Sequence, residues 1–403
     1  MKKIIRVIWI IIIIIIITIL SIYKKNILKN ENEIYKVNII DKYNNMQELY
    51  KEPSKEEYVL IDISINGIYY KNVGIRTKGS TIYSYLKNKK SNYHSYKIKL
   101  DYREQKQNFK GMAEINLNTG NFDTTGIREY LVYYIYNEMG IETPNNNLVV
   151  LKINNEIYGI MTLVEKINPD YVFKKYNTKN VNLYKPENSS IKNYKGAELR
   201  YLGKEKDLYN GIFENVKTFN TTEDDKERII EILENINKKN CSKNEFEQNF
   251  IDFDKIIKMI AINRIVSNID SFTGKTLRNY YLCEINGKID IIPFDFNMSM
   301  GVNSNPILWD EDDIYNKSIE MEYYYNKNSK ILEVIAENNE YIEKYNEYAR
   351  KTLEIMKSEK MKEKIERIEV EIDPIMKEKK NSLYTYEEYK KGMEEIKEFI
   401  KNR

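Results

Sequence analysis

The sequence predicts an α+β chain with a β-rich first half, a mainly helical second half, and one transmembrane helix ahead of both. Three observations carry this. Residues 58–101 alternate apolar and polar positions around an Asn66-Gly67 turn, residues from 253 onward place isoleucines at helical spacing, and Val7 to Tyr23 form an almost unbroken apolar run. The chain divides accordingly into a membrane anchor at 1–25, a polar tether at 26–57, a β-rich lobe at 58–167 and a mainly helical lobe at 168–403.

The apolar run contains Ile10 to Ile17 without interruption, flanked by Lys2, Lys3 and Arg6 before it and Lys24 and Lys25 after it. As a helix it rises about 25 Å, slightly short of a bilayer core. It leaves through Ser21-Ile22-Tyr23 rather than a small-residue cleavage site, so an uncleaved, single-pass anchor is expected. The similar charges on the two flanks leave its orientation open.

Val59 to Ile65 and Ile68 to Arg76 read as a hairpin about Asn66-Gly67, the favoured two-residue turn. Ser95 to Leu100 sets Lys97 and Lys99 on one face and Tyr96, Ile98 and Leu100 on the other. Thr124 and Thr125 are expected to cap a helix reaching Met139, with Ile127, Leu131, Ile135 and Met139 along one stripe. A second hairpin follows, Leu148 to Ile153 and Ile157 to Val164 about Asn154-Asn155, so the first half reads β-β-β-α-β-β. In the second half Phe253 to Asn268 is an apolar helix, and two strands flank Asn286-Gly287. Charged amphipathic helix runs from about 327. The last segment opens on a capping box, Thr385 to Glu388, and its apolar stripe is expected to pack on its own lobe.

Lysine and arginine number 64 against 61 acids, a net charge of +3, which argues against a nucleic-acid partner. One histidine, His94, and two cysteines exclude a Cys₄ or Cys₂His₂ zinc site and a disulfide framework. A Ser-His-Asp hydrolase would rest wholly on His94, in a Tyr/Lys-rich strand.

Three constellations carry chemistry. Gly74 to Thr81 has the glycine spacing of a P-loop but Ser80 where its lysine must stand, which leaves a basic strand-turn with Arg76 and Lys78. Lys97 lies on a strand followed by a helix and two more strands, the order in which kinase folds place a phosphate-binding lysine. Asp270, at the end of an apolar helix, and Asp295, inside Ile291 to Phe296, are acids in unfavourable places, with Asn279 between them. A carboxylate so placed binds a metal or pairs with a base. The His-Arg-Asp and Asp-Phe-Gly signatures of ordinary protein kinases are missing.

In this order the chain resembles the spore-coat protein H (CotH) kinase family. The resemblance rests on Arg76-Thr77-Lys78-Gly79-Ser80, Ser95 to Asp101, Ile127 to Leu131, Leu151 to Ile160, Leu163 to Ile167 and Asn182 to Lys185. It closes with Asn268 to Phe272, Asn279 to Leu282 and Pro293 to Gly301. It implies an atypical protein-kinase-like fold that uses ATP with Mg²⁺ or Mn²⁺ to phosphorylate serine-rich segments of spore-coat or surface proteins; the alternative is a pseudokinase scaffold. It further implies Asp270 as the catalytic aspartate and Asp295, with Asn279 and Asn297, as the metal site. Lys97, Arg76, Lys78 and Glu165 fall on the nucleotide. Two positions depart from the family: Asn297 replaces a second aspartate, and His94 stands where lysine is common. The implied locations are a membrane, the spore coat or another extracytoplasmic site.

Overall fold

The computed structural model describes residues 34–403 apart from 80–82, 90, 188–194, 239–240, 269, 275, 303–328 and 379–382. The apolar run expected to be a membrane anchor lies outside the described residues. Among the described residues no helix is long and apolar enough to cross a membrane.

Seven strands close into a barrel: β1 (Tyr35–Ile40), β2 (Val59–Ile65), β3 (Ile68–Lys78), β4 (Ser95–Lys99), β5 (Glu114–Asn118), β6 (Asn146–Ile153) and β7 (Glu156–Glu165). Their order around the barrel is β1-β2-β3-β4-β5-β7-β6, and parallel pairing of β1 with β6 completes it. Period-two alternation sends Val37, Ile39, Ile63, Ile75, Ile98, Ile115, Leu117, Leu151 and Leu163 inward as one apolar core. All three anticipated two-residue turns form, with positive φ at Asn66 and Gly67, at Asn154 and Asn155, and at Asn286 and Gly287.

Two corrections concern this barrel. The segment expected as a polar tether carries β1 and helix α1 (Asn45–Lys51), because Tyr35, Val37 and Ile39 alternate with polar residues and fill the gap between β2 and β6. The antiparallel hairpins expected for the first half are therefore joined, through β1 and β5, into a closed barrel that leaves no free sheet edge.

The remaining helices are α2 (Tyr83–Asn88), α3 (Arg128–Glu138), α4 (Pro169–Tyr176), α5 (Asn210–Phe213), α6 (Glu223–Ile236), α7 (Lys243–Glu247) and α8 (Phe253–Ile265). Helices α9 (Lys330–Ala336), α10 (Asn339–Met356), α11 (Glu359–Glu378) and α12 (Tyr386–Asn402) follow. Strands β8 (Asn182–Tyr184), β9 (Tyr280–Ile285) and β10 (Lys288–Pro293) form a small antiparallel sheet. The outward faces of β6 and β7, through Leu148, Val150, Ile160 and Val164, share one apolar cluster with α3, α8 and α12.

Helix α3 starts later than expected, and neither Thr124 nor Thr125 caps it. Asp123 supplies the stronger acceptor, taking Arg128 N at 2.9 Å and both the amide and hydroxyl of Thr125. Buried Arg128 pairs with Asp123 at 2.5 Å and donates to Met300 O at 3.3 Å and Gly392 O at 3.5 Å. Gly392, on α12, lies so close to Thr124 and Thr125 that a Cβ there would collide with both side chains. At the far end of α12, Arg403 donates to the terminal carbonyls of α8, Arg264 O at 2.9 Å and Ile265 O at 3.1 Å. Helix α12 keeps its predicted capping box and buries Tyr389, Met393 and Ile396 on its own lobe. It thus touches α3 at one end and α8 at the other.

His94 is buried among Tyr50, Tyr83 and the Tyr96–Tyr158 hydroxyl pair, and its Nδ1 has no hydrogen-bond partner among the described residues. Burial holds its imidazole down at about 4, against 6.5 for a free histidine. The unfolded chain therefore binds the extra proton first, and stability falls as pH drops through this window. Between pH 7 and pH 5 the parent should lose about 2 kcal/mol more than His94→Phe in denaturant titrations. Parallel losses in the two proteins would show that His94 is not the group responsible.

Candidate functional site

Because Ile75, Tyr96, Ile98, Ile115 and Leu117 point into the barrel, their neighbours on β3, β4 and β5 point out. That outer face carries Arg76 and Lys78, Lys97 and Lys99, and Glu114, Asn116 and Asn118, with Arg76 opposite Lys97 and Lys97 opposite Asn116. Helix α3 brings Glu129 up to this face in its first turn. Buried Glu129 accepts the Asn118 amide on both carboxylate oxygens at 3.0 Å, and Asn118 Oδ1 accepts Lys78 Nζ at 2.6 Å.

From the helical lobe, the loop after β10 contributes Asp295, a non-glycine residue at φ 62. A left-handed aspartate is strained backbone of the kind that functional sites retain. Its carboxylate makes no hydrogen bond or ion pair among the described residues. Burial pushes it above the ordinary carboxylate range, and the charges acting on it are Lys78, Asp270, Lys185 and Arg278 in that order. Burial likewise lowers Lys78 and, with Asp295 next in weight, pushes Glu129 up to about 8. Lys78, Glu129 and Asp270 therefore all lie within electrostatic reach of Asp295.

Asp270 lies in the loop after α8, not at a helix end as expected, since α8 stops at Ile265 and Ser267 turns the chain at φ 53. Arg278 grips its carboxylate with Nε at 2.6 Å and Nη2 at 3.0 Å. Asn279 Nδ2 adds contacts to Oδ2 at 3.0 Å and to the main-chain oxygen at 2.8 Å. Of roughly four lone-pair positions on a carboxylate, these contacts occupy three.

The other expected residues are placed as follows. Arg76 is ion-paired to Glu56 and lies over Tyr58, so its charge is already engaged. Lys97 has no hydrogen bond or ion pair among the described residues; burial, then Lys166 and Arg76, hold it down at about 7. It lies on the same outer face as Lys78 but is not among the largest charges acting on Asp295. Glu165 accepts Asn145 Nδ2 at 2.6 Å and is turned to that contact. Asn279 braces Asp270. Asn297, partly buried, follows Asp295 by two residues and makes no hydrogen bond among the described residues.

Sequence reasoning missed Glu129, Asn118, Arg278 and Lys185. Glu129 had a signal, since with Val132, Tyr133 and Tyr136 it falls on one helical stripe, an acid on a face that is otherwise apolar or aromatic.

A hard divalent cation fits the donors present. Asp295 offers an unpaired carboxylate and Asn297 an amide oxygen, both hard ligands. Among the described residues no group of three or more His, Cys, Asp or Glu side chains can hold a metal by itself. A Mg²⁺ shell finished by phosphate oxygens and water suits such a sparse set.

No curated protein matches the chain. Among solved structures, the crystal structure of a Helicobacter pylori proinflammatory kinase, CtkA, is similar over 76% of this chain and 90% of its own, at 13% identity and a TM-score of 0.31. The family described as CotH kinase protein matches residues 75–403, from the middle of β3 onward, leaving β1 and β2 outside the match. By that match, which spans most of its length, the chain belongs to the CotH kinase family.

Proposed function

We propose that the cleft binds ATP with Mg²⁺ or Mn²⁺ and transfers its terminal phosphoryl group to serine hydroxyls of partner proteins. The observation that carries this reading is the convergence of Lys78, Glu129, Asp295 and Asp270 in a CotH-family chain. Asp295 and Asn297 would hold the cation, which supplies charge neutralisation at the phosphate oxygens when bound. Lys78 places a cation beside that site and binds phosphate. Glu129, through Asn118, fixes where the ammonium points.

Asp270 positions the acceptor. Gripped by Arg278 and Asn279, its carboxylate keeps one lone-pair position for a serine hydroxyl. In a loose phosphoryl-transfer transition state orientation of the nucleophile matters more than early proton removal. The acceptors proposed are serine-rich segments of coat or surface proteins, reached by a lobe tethered to a membrane through the apolar run at 7–23. A pseudokinase scaffold is the second reading, favoured by the Arg278 grip on Asp270.

The test is incubation of the purified protein with γ-labelled ATP, Mg²⁺ or Mn²⁺ and a serine-rich polypeptide. Label on serine supports the kinase; nucleotide binding without transfer supports the scaffold. Within the site, Lys78→Ala should weaken Mg·ATP at least roughly tenfold, about 1.4 kcal/mol. Lys97→Ala should have a smaller effect and Lys99→Ala the least. Calorimetry that ranks Lys97 above Lys78 would reassign the phosphate-binding lysine to β4.

A further inference from the structure

An amide stands between Lys78 and Glu129, where a bare lysine–glutamate pair would have sufficed to hold the ammonium. We infer that Asn118 is a positioning residue for phosphoryl transfer, a relay that aims the Lys78 ammonium at the phosphate side of the cleft using Glu129 as its anchor. This rests on the kinase reading of the site.

The geometry allows the relay one orientation. Asn118 Oδ1 accepts from Lys78 at 2.6 Å, and Nδ2 donates to Glu129 Oε1 and Oε2 at 3.0 Å each. Reversing the amide would set its NH₂ against the ammonium and its carbonyl against the carboxylate, so the two flanking charges fix it. Burial acts against both flanking charges, lowering Lys78 and raising Glu129, and the amide opposes this by accepting from one and donating to the other.

The strand supplies the placement. Leu117 packs inside the barrel, so position 118 faces out, and Asn118 pairs in register with Thr162 of β7. Lys78 is the last residue of β3 and Glu129 sits in the first turn of α3. Asn118 therefore ties the end of a strand to the start of a helix, and both ends bear on Asp295. Without its donors, burial and Asp295 would drive Glu129 further toward the neutral acid, and Lys78 would lose its anchor.

The test uses the full chain, with Mg·ATP affinity by calorimetry and melting temperature on the same preparations. Asn118→Leu should weaken Mg·ATP tenfold or more, as Lys78→Ala does. Asn118→Asp alone should also weaken it, because two carboxylates then face each other. Asn118→Asp with Glu129→Gln exchanges acid and amide while keeping every donor matched to an acceptor, and should recover affinity to within about threefold of the parent. A purely structural asparagine would move the melting temperature and leave the affinity of the folded fraction unchanged, with no recovery in the exchange.

If Asn118→Leu fails to fold, the exchanged variant against Asn118→Asp decides. An Asn118→Leu protein that binds as the parent does, or an exchange no tighter than Asn118→Asp, overturns the relay. A parent that binds no Mg·ATP overturns the kinase reading and the relay with it. That result is distinct from the first failure, in which the parent binds.

Discussion

Asp295→Asn should remove metal-dependent ATP binding and leave the fold intact. Among the described residues the carboxylate has no hydrogen-bond or ion-pair partner to lose, and asparagine preserves its shape. What disappears is the charge that a divalent cation needs, a loss of roughly a hundredfold or more in Mg·ATP affinity, about 3 kcal/mol at 1.4 kcal/mol per decade. Melting should hold or rise, since burial already disfavours the ionised form. The pH dependence gives the sign. A carboxyl raised in the folded state binds its proton more tightly there, so the parent loses stability as pH rises from the ordinary carboxylate pKa through the raised one. The asparagine variant lacks that loss. Undiminished Mg·ATP binding, or a variant that unfolds, would strip Asp295 of the metal role.

Asp270→Ala should cut turnover by roughly 10²-fold or more, about 3 kcal/mol in the barrier, with little change in ATP affinity. On sequence grounds alone the substitution looks harmless to stability, an acid removed from a helix C-terminus. The structure reverses that expectation, because Asp270 answers a bidentate arginine. Breaking a buried pair costs about 3–5 kcal/mol, but the Arg278 side chain is 35% exposed and can turn to water, so a smaller loss is expected. Stability and catalysis are separated by Asp270→Asn with Arg278→Met, which replaces the ion pair with a neutral amide that can still accept from Asn279 and an apolar chain that needs no partner. Melting should recover in that double variant and turnover should not. Recovered turnover would mean that Asp270 serves only to hold Arg278.

Much of the fold was legible because turns and alternation are local. The Asn-Gly and Asn-Asn turns, the lysine face of β4 and the Thr385 capping box all depend on a few adjacent residues. Strand β5, Glu114-Ile-Asn-Leu-Asn, escaped notice because two apolar residues are too few to signal a strand. Strand β1 escaped because polar neighbours on both sides masked its alternation; its partner β6 lies over a hundred residues away. The site was legible where a residue sat against its local grain, as Asp295 does inside an apolar run. It was not legible where meaning depends on distant partners. Asn118 is an ordinary polar residue of a strand until Lys78 and Glu129 arrive on either side. Lys78 and Lys97 look alike in sequence, and only the closed barrel tells which of them meets the acids.

Helix α12 has a kinetic consequence. Its hydrogen bond from Arg128 to Gly392 spans 264 positions, and Tyr384, just ahead of the helix, reaches back 263 positions to Asn121. Contacts of such separation form late, after shorter loops have closed. The barrel can assemble during synthesis from residues 35–165, and α3 can pack on β6, yet its first turn lacks the Arg128–Gly392 tie until residues 386–403 have been made and docked. A nascent chain would thus present Glu129 beside an Arg128 that still lacks its Gly392 acceptor. The Arg128 end of the site would then be completed last, when α12 docks.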